Sequence, residues 1–76
     1  MYFEKVKEII VDTLNLNEEQ ITEGASLKDD LQIDSLDAME VVLALEEEYG
    51  ISIAPETLAS FVTVSDIVKY LEENVN

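Results

Sequence analysis

A chain of 76 residues with 18 acidic side chains against four lysines, and with neither histidine nor cysteine, carries a formal charge of −14 at neutral pH. Its length suits one small domain and leaves no room for a two-domain enzyme. The charge disfavours nucleic acid and anionic membrane surfaces as partners. The missing thiols and imidazoles remove disulfides, a cysteine nucleophile, the commonest general base and the usual transition-metal ligands.

From Tyr2 to Leu14, the residues Phe3, Val6, Ile9, Ile10 and Leu14 recur at helical spacing, with Glu4, Lys5, Lys7, Glu8 and Asp12 on the other face. That pattern predicts a first amphipathic helix. Residues 15–34 are polar and aperiodic, yet Leu16, Ile21, Leu27, Leu31 and Ile33 punctuate them. A loop of about twenty residues is long for a compact domain, and its apolar residues predict that it is pinned to the core. The strongest helix is predicted over Ser35–Tyr49: Asp34 is a good N-cap, Asp37 stands three residues on in a capping-box-like arrangement, and Gly50 follows as a C′ residue. In Gly50 to Ala54, Ile51 and Ile53 alternate with polar neighbours, but a lone short strand is not stable. An extended connector whose isoleucines plug the core is expected instead. Pro55 opens a short third helix to about Phe61, and the poor cap at Ala54 predicts a weak, mobile segment. Thr63 caps a last helix, with Asp66 three residues on and Val64, Ile67, Val68 and Leu71 as its buried stripe. The sum is a single all-α domain over 1–76, a small four-helix bundle of three principal helices and one short one, with a long loop between helices 1 and 2.

At about 100° per residue, Ala38, Met39, Val42, Leu45 and Tyr49 of the second helix fall on one side and are expected to face the core. Leu36, Glu40, Leu43 and Glu47 share a stripe well removed from it, with Asp37, Ala44 and Glu48 beside them. No basic residue occurs between Lys28 and Lys69, so this outward face holds apolar knobs in an acidic field. It reads as a docking face on which acids steer a basic partner and leucines supply central contact. A solvated acidic surface is the plainer alternative. Ser35 follows the N-cap, where free N–H groups and the positive end of the helix dipole favour an attached anion such as a phosphodiester. With no histidine and few lysines it lacks a base to activate it as a nucleophile, so it is expected to be a modified residue rather than a catalyst.

The run Leu31-Gln32-Ile33-Asp34-Ser35-Leu36-Asp37-Ala38-Met39-Glu40, continued by Val41-Val42-Leu43-Ala44-Leu45-Glu46-Glu47-Glu48-Tyr49-Gly50-Ile51, resembles the acyl carrier proteins of dissociated (type II) fatty-acid synthesis. The resemblance covers almost the whole chain. It implies a non-enzymatic carrier: a phosphopantetheinyl transferase moves 4′-phosphopantetheine from coenzyme A onto Ser35, and growing fatty acyl chains ride on the thiol of that arm. By position, Asp34 and Leu36 complete the modification motif. Leu36, Asp37, Glu40, Leu43, Glu46 and Glu47 match the surface that meets basic patches on fatty-acid synthesis enzymes, although Glu46 falls nearer the core side of the wheel. Leu27, Leu31, Met39, Val42, Leu45, Leu58, Phe61 and Val68 are candidates to line an acyl pocket, each also explicable as core. The weak third helix is a plausible gate for that pocket. Many relatives carry Gly where this chain has Gln32. Carrier domains of polyketide synthesis, peptide synthesis and cell-wall alanylation share the modified serine and remain an alternative, although the acid-rich helix favours fatty-acid synthesis.

Two further readings belong to other classes. Asp29 and Glu40 are spaced as the first and last ligands of an EF-hand, but Leu31, Ile33 and Asp34 stand where ligands and the turn glycine are needed, so no dedicated metal site is expected. An acidic interaction protein that mimics nucleic acid is opposed only by the ordered Asp-Ser-Leu context. No apolar run approaches the roughly 18 residues of a bilayer span, and the first residues lack a basic stretch followed by an apolar one. A soluble, cytoplasmic monomer without membrane insertion is therefore expected.

Overall fold

The structure is a computed structural model that describes residues 2–75. Four α-helices follow in order: α1 (Tyr2–Leu14), α2 (Ser35–Tyr49), α3 (Pro55–Ser60) and α4 (Val64–Asn74). α1 packs on both α2 and α4, whereas α3 lies against α2 alone. The rings of Tyr2 and Tyr49 meet edge-on at 5.7 Å, and Lys5 bridges to Glu48 at 3.6 Å. The start of α1 therefore lies beside the end of α2, and the two run antiparallel.

The core is wholly apolar, with Val6, Ile10, Leu45, Val64 and Leu71 fully enclosed. The predicted stripe of α4 is buried at all four positions. The predicted phase of α2 is off by part of a turn. Val41, Val42 and Leu45 are its buried residues, whereas Met39, expected to face the core, is 52% exposed. α2 carries apolar residues nearly all round, so its own periodicity does not fix which side turns inward.

The long loop is pinned as expected. Ile21, Ala25, Leu31 and Ile33 are buried in the core, which ties the segment at four points. It also contains a 3₁₀ turn at Glu18–Gln20, closed by a capping box between Asn17 and Gln20. Further on, the loop pairs with the α3–α4 connector: Leu27 N–H donates to the Val62 carbonyl at 2.9 Å, and Val64 N–H to the Ala25 carbonyl at 3.1 Å, about a single antiparallel bridge between Ser26 and Thr63. Residues 51–54 form neither helix nor strand, with Ile53 buried.

Among the described residues three take positive φ: Asn15 and Gly50, just past the ends of α1 and α2, and Gln32 at φ 56°. Gln32 closes a helical turn in which Ser26 Oγ accepts from Asp29 N–H and Asp30 Oδ2 accepts from Ser26 N–H. Ile33 N–H then returns to the Leu27 carbonyl at 2.8 Å. A residue that ends a turn this way is best served by glycine, which marks Gln32 as mildly strained.

Candidate functional site

The site is built where the pinned loop hands over to α2. Asp34 is extended (φ −88°, ψ −177°) and its Oδ1 accepts the Asp37 N–H at 2.8 Å, while Ala38 N–H makes the first helical bond to the Asp34 carbonyl at 2.9 Å. Only this forward half of the capping-box-like arrangement forms, since the structure gives Asp37 no return bond to the Asp34 N–H. Ser35 is exposed, so its hydroxyl is accessible to a modifying enzyme at a helix N-terminus that favours an anion.

Beside Ser35 opens a cleft of about 530 Å³. Its walls include Leu27 and Ile33 from the loop, Ala38 and Met39 from α2, and Leu58 and Phe61 from α3 and its end, with Lys28, Asp29 and Asp34 at the polar margin. Beneath it lies a small, wholly apolar cavity of about 20 Å³ that shares Leu27, Ile33, Ala38, Leu58 and Phe61 with the cleft and reaches Val42.

The eight pocket candidates divide accordingly. Leu27, Met39, Leu58 and Phe61 line the cleft and Val42 the cavity below. Leu31, Leu45 and Val68 line neither: they are core residues, 4%, 0% and 9% exposed. Sequence periodicity cannot separate a core wall from a cleft wall, because both are apolar. It also missed Ile33, Ala38 and Pro55 as cleft walls; the sequence marks Ile33 only as a pin of the loop and Pro55 only as the start of the short helix.

The outward face of α2 is as exposed as expected, with Leu36 at 69% and Leu43 at 57%. Met39, 52% exposed, lies between them at helical spacing, so the apolar stripe is more continuous than its sequence phase suggested. Glu40 and Glu47 are exposed and Asp37 is half-buried. Glu46 differs from the other docking acids, because its Oε2 accepts the Ile53 N–H at 2.7 Å and so is engaged within the fold. Lys5 and Lys7 pair with Glu8 and Glu4 on α1, and Lys5 also reaches Glu48 near the end of α2. Glu8, and then Glu48, hold the Lys5 ammonium above its ordinary pKa. Among the described residues no three carboxylates converge to hold a metal ion.

Residues 4–71 match the family of the phosphopantetheine attachment site. The chain is 47% identical over 70 residues to an acyl carrier protein of Sinorhizobium fredii, spanning 92% of this chain and 90% of that one. It is likewise 47% identical over 74 residues to an acyl carrier protein of Petrotoga mobilis, spanning 97% and 87%, and 47% identical over 72 residues to one of Clostridium perfringens, spanning 95% of each. The chain belongs to the acyl carrier protein family. The group that this family attaches is phosphopantetheine, and the surroundings of Ser35 fit it. An exposed serine stands beside a largely apolar cleft whose lining includes Lys28, and the chain has no cysteine to compete for an acyl group. Among the described residues no helix is long and apolar enough to cross a membrane.

Proposed function

We propose that this member of the acyl carrier protein family is a non-enzymatic carrier of growing fatty acyl chains, anchored at Ser35 and passed among the enzymes of fatty-acid synthesis. The observation that carries the reading is the exposed Ser35 hydroxyl at the mouth of an apolar cleft. When bound, 4′-phosphopantetheine supplies a thiol that holds the acyl group as a thioester. The protein's own residues do the rest. Asp34 fixes the start of α2 and thereby the place of Ser35, and Leu27, Ile33, Ala38, Met39, Leu58 and Phe61 line the cleft that would shelter an acyl chain from water.

Leu36, Met39 and Leu43, framed by Asp37, Glu40 and Glu47, form the surface offered to a phosphopantetheinyl transferase and to enzymes with basic patches. Exposed charges of one sign raise the rate of encounter more than the final affinity, which suits a carrier that must leave each enzyme again. The chain acts as one cytoplasmic carrier domain and as a monomer.

Incubation with coenzyme A, Mg²⁺ and a broad-specificity phosphopantetheinyl transferase tests the anchor. The intact mass of the wild type gains one arm and that of Ser35→Ala gains none. No gain on the wild type, or an equal gain on the variant, overturns the reading.

A further inference from the structure

The connector between α2 and α3 hangs on one residue. Glu46 accepts three backbone N–H groups from the chain that follows it: Gly50 at 2.8 Å and Ile51 at 3.2 Å on its carbonyl oxygen, and Ile53 at 2.7 Å on its carboxylate. The first two are the normal ending of a helix whose C′ residue is left-handed. The third is a charge-assisted bond that reaches seven residues along the chain to an isoleucine only 8% exposed.

α3 depends on such a tie. It buries no residue, its leading residue Ala54 offers no side-chain cap, and it lies against α2 alone. Its own bonds are internal: Leu58 N–H to the Ala54 carbonyl, Phe61 N–H to the Leu58 carbonyl, and Ser60 Oγ to the Thr57 carbonyl. Beyond its far end, the Val62 and Thr63 N–H groups both go to Asp66 Oδ2. Apart from the half-buried Leu58 and, at its end, Phe61, whose ring meets Tyr70 edge-on at 5.8 Å, the short helix is a span held between two carboxylates, Glu46 before it and Asp66 after it. There is also space around it. Leu58 lines the cleft, the small cavity beneath, and a third recess of about 200 Å³ on whose wall Glu46 and Ile53 stand. The three recesses meet at Leu58.

We propose that Glu46 is a positioning residue. By holding the Ile53 N–H, its carboxylate keeps α3 down over the apolar cleft and so sets how well the cleft shields an acyl chain. The inference rests on the carrier reading above, but it assigns Glu46 differently from the other acids of α2. A docking acid needs its charge, whereas a latch needs an acceptor oxygen. Glutamine keeps the acceptor and loses the charge; alanine loses both.

The full chain is modified and loaded with an octanoyl arm from octanoyl-coenzyme A, and loading is verified by intact mass. Amide hydrogen exchange and the rate of thioester cleavage by dilute hydroxylamine are then compared for the wild type, Glu46→Gln and Glu46→Ala. In Glu46→Ala, exchange at Ile53 and across α3 rises about tenfold and cleavage accelerates, while core amides of α1 and α4 keep their protection. Glu46→Gln stays within about twofold of the wild type on both measures. Unchanged α3 exchange and cleavage in Glu46→Ala, or a glutamine variant that behaves like the alanine one, overturns the latch. Failure to load counts against the carrier reading instead, and exchange in the unloaded chain still decides the latch.

Discussion

α2 and α3 face each other across one cleft and are built in opposite ways. α2 is closed at its start by the Asp34 side chain and at its end by left-handed Gly50, and it sends Val41, Val42 and Leu45 into the core. α3 has six residues, a proline start, no side-chain cap and no buried residue, and is far shorter than the 12–15 or so residues at which an isolated helix becomes even marginal in water. The cleft therefore has one fixed wall and one loose wall, and Ser35 stands on the fixed one. A group anchored there keeps its place while the opposite wall gives way.

The contrast is broken most directly by making the same truncation on each wall. Leu45→Ala removes a fully enclosed side chain and is expected to cost about 2–5 kcal/mol in urea unfolding. Leu58→Ala, on the half-buried face of α3, is expected to cost about 1 kcal/mol or less, because the site is already bordered by space. Equal costs would mean that α3 is as integral to the core as α2.

Exchanging the caps gives a smaller effect. Asp34→Ala is expected to lose about 1 kcal/mol, whereas Ala54→Ser supplies the cap that α3 lacks and is expected to gain about 0.5 kcal/mol. The gain should appear with slower amide exchange confined to α3. A serine cap that leaves α3 exchange unchanged would show that its start is not the weak point.

The smallest effect concerns the far tether. Hydrogen bonds from the Val62 and Thr63 backbone hold the Asp66 carboxyl below its ordinary pKa. A depressed value in the folded state contributes stability that is present above the unfolded pKa, about 3.9, and is lost as pH falls through the folded one. Asp66→Asn should thus be less stable than the wild type at neutral pH, though only by a fraction of a kcal/mol because solvent screens the partly exposed carboxylate, with the gap closing below about pH 4. A gap independent of pH in thermal melts would remove the ionised carboxylate from the account.

Helix bounds were legible because their signals are local. Asp34, Gly50, Pro55 and Thr63 act on the two or three residues beside them, and the elements begin and end where those residues stand. The inward phase of α4 was legible too, since its apolar residues occupy one stripe only. α2 was harder, because Leu36 and Leu43 lie on the opposite side from Leu45, and only the packing of α1 decides that Val41 rather than Met39 turns inward. The loop's internal order was invisible for a related reason. The left-handed turn at Gln32 and the pairing of Ser26 with Thr63 join residues whose types do not announce them, one by strain and the other by distance along the chain. Glu46 differed from Glu47 and Glu48 only in lying nearer the core side of the wheel, and what it does there depends on the return of the chain to Ile53, which its carboxylate meets.

The Tyr2 hydroxyl donates to the Val75 carbonyl at 3.1 Å while its ring rests on Tyr49. Both described ends of the chain therefore gather at the pole of the molecule where α2 finishes, a helix of 15 residues and so about 22 Å from Ser35. A tag, a surface tether or a neighbouring domain joined through either end leaves from the pole opposite the cargo, and the carrier can be leashed without obstructing the hydroxyl that an enzyme must reach.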